Sequence, residues 1–335
     1  MNSLERYLAV LEHQPADFLP RLPILMQFAA EHIGSNYGAF AGDYRVLVEA
    51  NLACAHDFGM DQVSTISDPY RETQGFGAEI VYVRDGVPRC PRPPLAGNKN
   101  LDRLPRPDPL AAPRMLDRVN AVRSYAGSVV GKKFSILGWV EGPAAEAADL
   151  RGVNQFFLDL IDDPPWVSAL MDICVDVGIE FARAQVGAGA DTIGIGDAVA
   201  SQVSPQMYEE MIQPGEKRLI AAIKKMGARV RLHICGNITH LLPGISGLGI
   251  DILDVDHMVD MKTVRRTLGH KVTLAGNIDP AAAVYAGRPD DIREHLRCTY
   301  ELVGNPYMVT AGCEIPSGTP AENLLALCEP VGWEG

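Results

Sequence analysis

Two side chains in the stretch Arg229-Val-Arg-Leu-His-Ile-Cys-Gly-Asn237 carry metal-binding chemistry, His233 and Cys235. The stretch reads as a short strand, Arg229 to Ile234, running into a turn at Gly236. Strand residues two apart share a face, so a nitrogen donor and a sulfur donor converge at the strand end. Cys313 follows another apolar run, Tyr307 to Val309. One histidine and two cysteines make a three-ligand set that suits zinc and leaves a fourth position open. His-x-Cys alone is a weak pattern, because cysteine is one of the most buried residue types and is usually inert. It gains weight only if the fold brings Cys313 to the same place.

The elements that must do so are short apolar runs alternating with longer periodic ones. Strands are expected at 22–28, 62–66, 134–140, 191–196, 229–234, 251–255, 271–276 and 307–310. Helices are expected near 43–58, 115–130, 145–161, 164–187, 205–226, 259–268, 288–303 and 319–328. Asp85-Gly86 marks a hairpin between residues 79 and 87. Eight strands alternating with helices predict a (β/α)8 TIM barrel, with an N-terminal helical extension and an insertion after strand two. Residues 1–335 read as a single barrel domain. Residues 88–114, rich in Pro, Arg and Asp, read as an insertion over its surface.

In such a barrel the C-terminal strand ends meet in one mouth. Asp68, Glu141, Asp197, His233, Cys235, Asp256, Asn277 and Cys313 all stand at or just after strand ends. Most have a plain alternative. Asp68 before Pro69 starts a turn, Asp197 caps the segment after it, and Asp256 satisfies loop backbone. Asp279 caps the next helix, with Asn277 in the same turn. Glu141, in Trp139-Val-Glu-Gly-Pro143, has no obvious capping role. An ionised carboxylate in that small, apolar run needs a cationic partner such as Arg151 or a metal.

Hydrophobic residues are 47% of the chain and charged residues 21%, the balance of an ordinary globular protein. The formal charge of −12 argues against nucleic acid, which needs clustered Lys and Arg. No apolar run approaches the roughly 20 residues that span a bilayer, and Met1 to Leu11 lacks the pattern of a signal peptide. Seven scattered cysteines fit free thiols in a reducing cytoplasm.

Four stretches resemble the uroporphyrinogen decarboxylase superfamily: Arg6-Tyr-Leu-Ala-Val-Leu-Glu-His-Gln-Pro15, Asp197-Ala-Val-Ala-Ser-Gln-Val-Ser-Pro205, Ala275-Gly-Asn-Ile-Asp-Pro280 and Gly318-Thr-Pro-Ala-Glu-Asn323. The resemblance implies a (β/α)8 barrel. Asp68 matches the decarboxylase aspartate. However, Met26-Gln-Phe-Ala-Ala-Glu-His32 stands where decarboxylases carry an arginine-rich motif, and Ala311-Gly-Cys313 replaces Gly-His-Gly.

His233, Cys235 and Cys313 match the zinc ligands of the other branch, the corrinoid-linked methyltransferases. That branch implies zinc, a corrinoid carried by a partner protein, and a small methyl donor or acceptor. On this reading the strand-end positions put Glu141 and Asp197 in catalysis, and Asp68, Tyr70, Asp256 and Asn277 at the substrate. Glu141-Gly-Pro-Ala departs from the Gly-Pro-x-Thr of thiol-methylating members, which favours a methoxyaromatic ether over a coenzyme M-type thiol. A porphyrinogen decarboxylase and a structural zinc barrel, with Glu141 as closing ligand, are the alternatives.

Overall fold

The computed structural model describes residues 1–334. Among them, nine strands run in chain order: β1 (Gln62–Ser64), β2 (Val81–Val83), β3 (Gly86–Arg89), β4 (Ser135–Glu141) and β5 (Thr192–Gly196). Then come β6 (Arg229–His233), β7 (Ile252–Val255), β8 (Thr273–Gly276) and β9 (Tyr307–Met308). β2 and β3 form the antiparallel hairpin expected at Asp85-Gly86. The other seven form one parallel sheet in the order β1-β4-β5-β6-β7-β8-β9.

The sheet is curled. Arg231 on β6 reaches Gln62 of β1 at 2.7 Å, although two strands lie between them. Both sheet edges also bond to one segment. Leu22 N–H donates to Val309 O just past β9, and Asp61 N–H before β1 donates to Arg21 O. The chain therefore has the TIM-barrel type of α/β architecture.

The strand expected at 22–28 is corrected. Only an isolated bridge, Arg21 to Val309, forms there, and Gln27 already opens a helix, Gln27–His32. Pro20 and Pro23 lack the N–H groups that a regular ladder would use. The N-terminal helix Ser3–Leu11 is present, closed by an Asn2/Glu5 capping box. It buries Arg6 and Tyr7 against the sheet's N-terminal end. Arg6 and Arg21 share Asp61, and the Tyr7 hydroxyl lies 2.7 Å from Thr192 Oγ1.

Most other helices fall where periodicity put them, including Tyr44–Asp57, Pro113–Gly127 and Pro164–Ala188. The helix expected at 145–161 divides at Gly152, whose φ of 87° belongs to the left-handed region. Residues 88–114 are more than a surface cover. Leu95 and Leu104 are buried, and the Arg151 guanidinium holds the Leu95 carbonyl.

The strands alternate faces. Val230 and Leu232 of β6 and Ile193 and Ile195 of β5 pack outward into the main helical core. Their neighbours point inward. Trp139 is one, and its ring occupies the room left by two glycines of β5. A Cβ on Gly194 would stand 2.2 Å from the indole, and one on Gly196 3.0 Å.

Candidate metal centre and cavity

One row of paired positions crosses the C-terminal edge of the sheet. Glu141 pairs with Gly196, Gly196 with His233, and His233 with Asp254. Partners in a parallel ladder share a face, so these side chains point to the interior together. Cys235 lies two residues past His233, on the same side. Cys313 arrives from the loop after β9.

The three donor atoms lie within 4.8 Å of one another. His233 Nε2 is 2.9 Å from Cys235 Sγ and 3.8 Å from Cys313 Sγ, and the sulfurs are 3.6 Å apart. A tetrahedral zinc with ordinary bond lengths asks for about 3.8 Å between sulfurs and about 3.6 Å from nitrogen to sulfur. The sulfur–sulfur distance and the Cys313–His233 distance are close to those values, while Cys235 and His233 stand closer together. The opposite ring nitrogen, Nδ1, is 3.1 Å from Asp254, which Arg231 holds by two contacts of 2.9 Å. A carboxylate behind a histidine fixes the ring's orientation and leaves Nε2 to face a metal.

The local charges follow from this packing. Burial opposes a charged imidazole, yet hydrogen bonds to Asp254 and Cys313 raise His233 to about 10. The hydrogen bond from Cys235, with His233 alongside, outweighs burial and lowers Cys313 to about 4. Cys235 is raised in turn, by the same contact and by burial. One thiolate beside an imidazolium is the protonic form of a site whose ligands a divalent cation would deprotonate.

The centre opens into a cavity of about 190 Å³. Its walls are Ile24, Met26, Ile66 and Trp139, with Asp68, Arg71, Glu141 and Glu314 as polar members. Glu141 pairs with Arg71, not with Arg151, which is committed to Asp159. Burial raises Glu141 well above the carboxylate range even with Arg71 beside it. Asp68 lines the cavity, but Arg114 takes both its oxygens at 2.6 Å.

Other expected site residues lie elsewhere. Asp197, one position past Gly196, turns to the outer side of the sheet. Its carboxyl accepts from Ala145 N–H at 2.7 Å, at the start of helix Pro143–Arg151. It is fully buried, which raises it to about 7. It thus caps helix Pro143–Arg151 and makes no cap to the segment following it, and it is not among the residues that line the cavity. Asp256 accepts from Gly236 N–H and Met258 N–H and steadies the loop carrying Cys235. Asn277 donates to Val259 O. Tyr70 begins the helix Tyr70–Gly75 with its N–H on Asp68. Tyr70, Asp256 and Asn277 support loops and a helix through these bonds and are not among the residues that line the cavity.

Asp254, Arg71, Glu314 and Trp139 escaped sequence reasoning. Asp254 had a signal, since an acid at the inward position of an apolar strand asks for a partner. Arg71 follows Asp68 by three residues, and Glu314 adjoins Cys313. Neither spacing reveals which way the loop turns.

A family model for Uroporphyrinogen decarboxylase (URO-D) matches residues 2–332. The chain is 30% identical to the methylcobamide:CoM methyltransferase MtbA of Methanosarcina mazei, covering 97% of this chain and 96% of that one. It is 29% identical to the methylcobamide:CoM methyltransferase MtaA of Methanosarcina barkeri, over 96% and 95%. Among solved structures, a methyltransferase from Methanosarcina mazei superposes with a TM-score of 0.89 at 25% identity, covering 98% and 97%.

Proposed function

The chain belongs to the uroporphyrinogen decarboxylase family, and from that premise we propose that it is a corrinoid-dependent methyltransferase using zinc. It moves a methyl group between a small substrate and the cobalt of a separate corrinoid protein. The observation that carries the reading is the convergence of His233 Nε2, Cys235 Sγ and Cys313 Sγ at the end of an apolar-walled cavity, with Asp254 behind the histidine.

His233, Cys235 and Cys313 would hold the zinc, and Asp254 orients the histidine. When bound, zinc supplies a Lewis acid to charge developing on the substrate atom that gives or takes the methyl group. Ile24, Met26, Ile66 and Trp139 exclude water and seat an apolar body. Glu141, fixed by Arg71, presents a hydrogen-bonding carboxyl at the cavity wall. A methoxyaromatic ether fits walls of this kind. The names of the relatives support the second reading, methylation of a coenzyme M-type thiol.

We read the curled sheet as a closed (β/α)8 barrel in one domain, with residues 20–24 as its first stave. The bonds of that segment to Val309 and Asp61 support this. Seven free cysteines support a reducing, cytoplasmic setting. Among the described residues, no helix is long and apolar enough to cross a membrane.

Zinc analysis of the purified protein and of Cys235→Ala and Cys313→Ala tests the centre. One zinc per chain is expected in the wild type. Both variants should stay folded by circular dichroism while losing the metal and methyl transfer. Full zinc in both would refute the assignment. Transfer from methylcobalamin to thiols, set beside transfer from methoxyarenes to reduced cobalamin, decides between the two substrates.

A further inference from the structure

The cavity offers its ligand no free positive charge. Apart from His233, which a bound zinc would hold neutral, Arg71 is the only cationic side chain among the described residues that line it. Its guanidinium is already spent on Glu141, on the Asp68 carbonyl and on Glu72 at 3.5 Å. Arg114 stands behind and is consumed by Asp68. Zinc bound by two thiolates and a neutral imidazole would bring the metal centre to zero net charge.

Glu314 is different. It lines the cavity next to Cys313, and its one hydrogen bond is a 3.2 Å contact from Gln27 N–H to Oε1. Among the described residues it forms no ion pair, so Oε2 is open to a donor. Its carboxyl adds no cation to the cavity in either protonation state.

We infer that Glu314 selects the substrate of the proposed methyl transfer, taking an uncharged methoxyarene through a free hydroxyl and rejecting carboxylates and sulfonates. The inference rests on the methyltransferase reading and deepens it. A phenolic O–H would donate to the open oxygen, while the ring lies on Ile24, Ile66 and Trp139. An anionic group would lie on apolar walls beside a carboxyl, with no unpaired cationic side chain to receive it. An uncompensated charge in such a place is strongly unfavourable. This selectivity sets the chain against 2-mercaptoethanesulfonate, whose sulfonate always carries charge.

Calorimetry on the zinc-loaded protein tests the inference without turnover. The probes are 2-methoxyphenol, 4-hydroxy-3-methoxybenzoate and 2-mercaptoethanesulfonate. The neutral phenol should bind at least about tenfold more tightly than the benzoate, the order expected of one uncompensated charge. Glu314→Gln, checked for zinc content and thermal unfolding, should narrow that ratio several-fold. Competition among the three probes on wild-type protein gives the same ranking without any variant. Absence of phenol binding, equal or tighter binding of either anion, or an unchanged ratio in the folded variant overturns the inference. Methyl transfer observed with an anion preferred would sink the selectivity and spare the methyltransferase. Selective phenol binding with no methyl exchange with cobalt would do the reverse.

Discussion

At the scale of single residues, the centre depends on a partner that the ligand pattern does not contain. Asp254 holds His233 Nδ1, and Arg231 holds Asp254. Replacing Asp254 with Asn should leave the three ligands in place and weaken zinc binding about 10- to 100-fold. Competition with a chelator of known affinity measures this, and unchanged affinity would reduce Asp254 to a partner of Arg231. His233 and Cys235 were legible because strand period is local. Cys313 was legible as a strand-end residue, and the fold supplied its proximity. Glu314 was not legible, since nothing in Gly-Cys-Glu-Ile says which side chain turns inward. Cys298, on helix Pro289–Val303, is exposed and its thiol donates to Glu294.

At the scale of elements, the alternating Thr-Ile-Gly-Ile-Gly of β5 and the tryptophan of β4 form one unit. The isoleucines face the helices and the glycines face the indole. Gly194→Ala would put a methyl group 2.2 Å from Trp139 and force the ring into the cavity. A loss of about 2 kcal/mol is expected, the usual cost of overpacking a filled interior. Urea denaturation checks it, and wild-type stability would mean that the ring has room to move. The strand itself was legible as a buried apolar run. Its glycines had no meaning until Trp139 was seen to fill them. The segment at 22–28 was misjudged because hydrophobicity outweighed Pro20 and Pro23.

At the scale of the whole molecule, the order of strands and helices was legible almost throughout, because a repeating β/α alternation has few arrangements. Polar burial was not legible, and it shapes the response to pH. Asp197 carries a pKa raised by burial to about 7, so the folded state keeps a proton that the unfolded chain loses near pH 4. Stability from this group is complete below its unfolded value, falls as pH rises through the folded one, and is level above it. Urea midpoints between about pH 5 and pH 8 should decline less in Asp197→Asn than in the wild type. An identical slope would show that Asp197 is ionised throughout.

Trp139 has a consequence of another kind. Its ring lies 6.1 Å from the His233 ring, nearly sealed from water on a wall of the cavity. Of the three tryptophans in the chain, Trp166 sits over Arg151 and Lys99, and Trp333 near the C-terminal segment. The wall is therefore also a lamp. Indole emission from this position would change when a light-absorbing metal such as cobalt(II) replaces zinc, or when an aromatic guest stacks nearby. Occupancy of the site could then be read continuously by fluorescence, without label or tag.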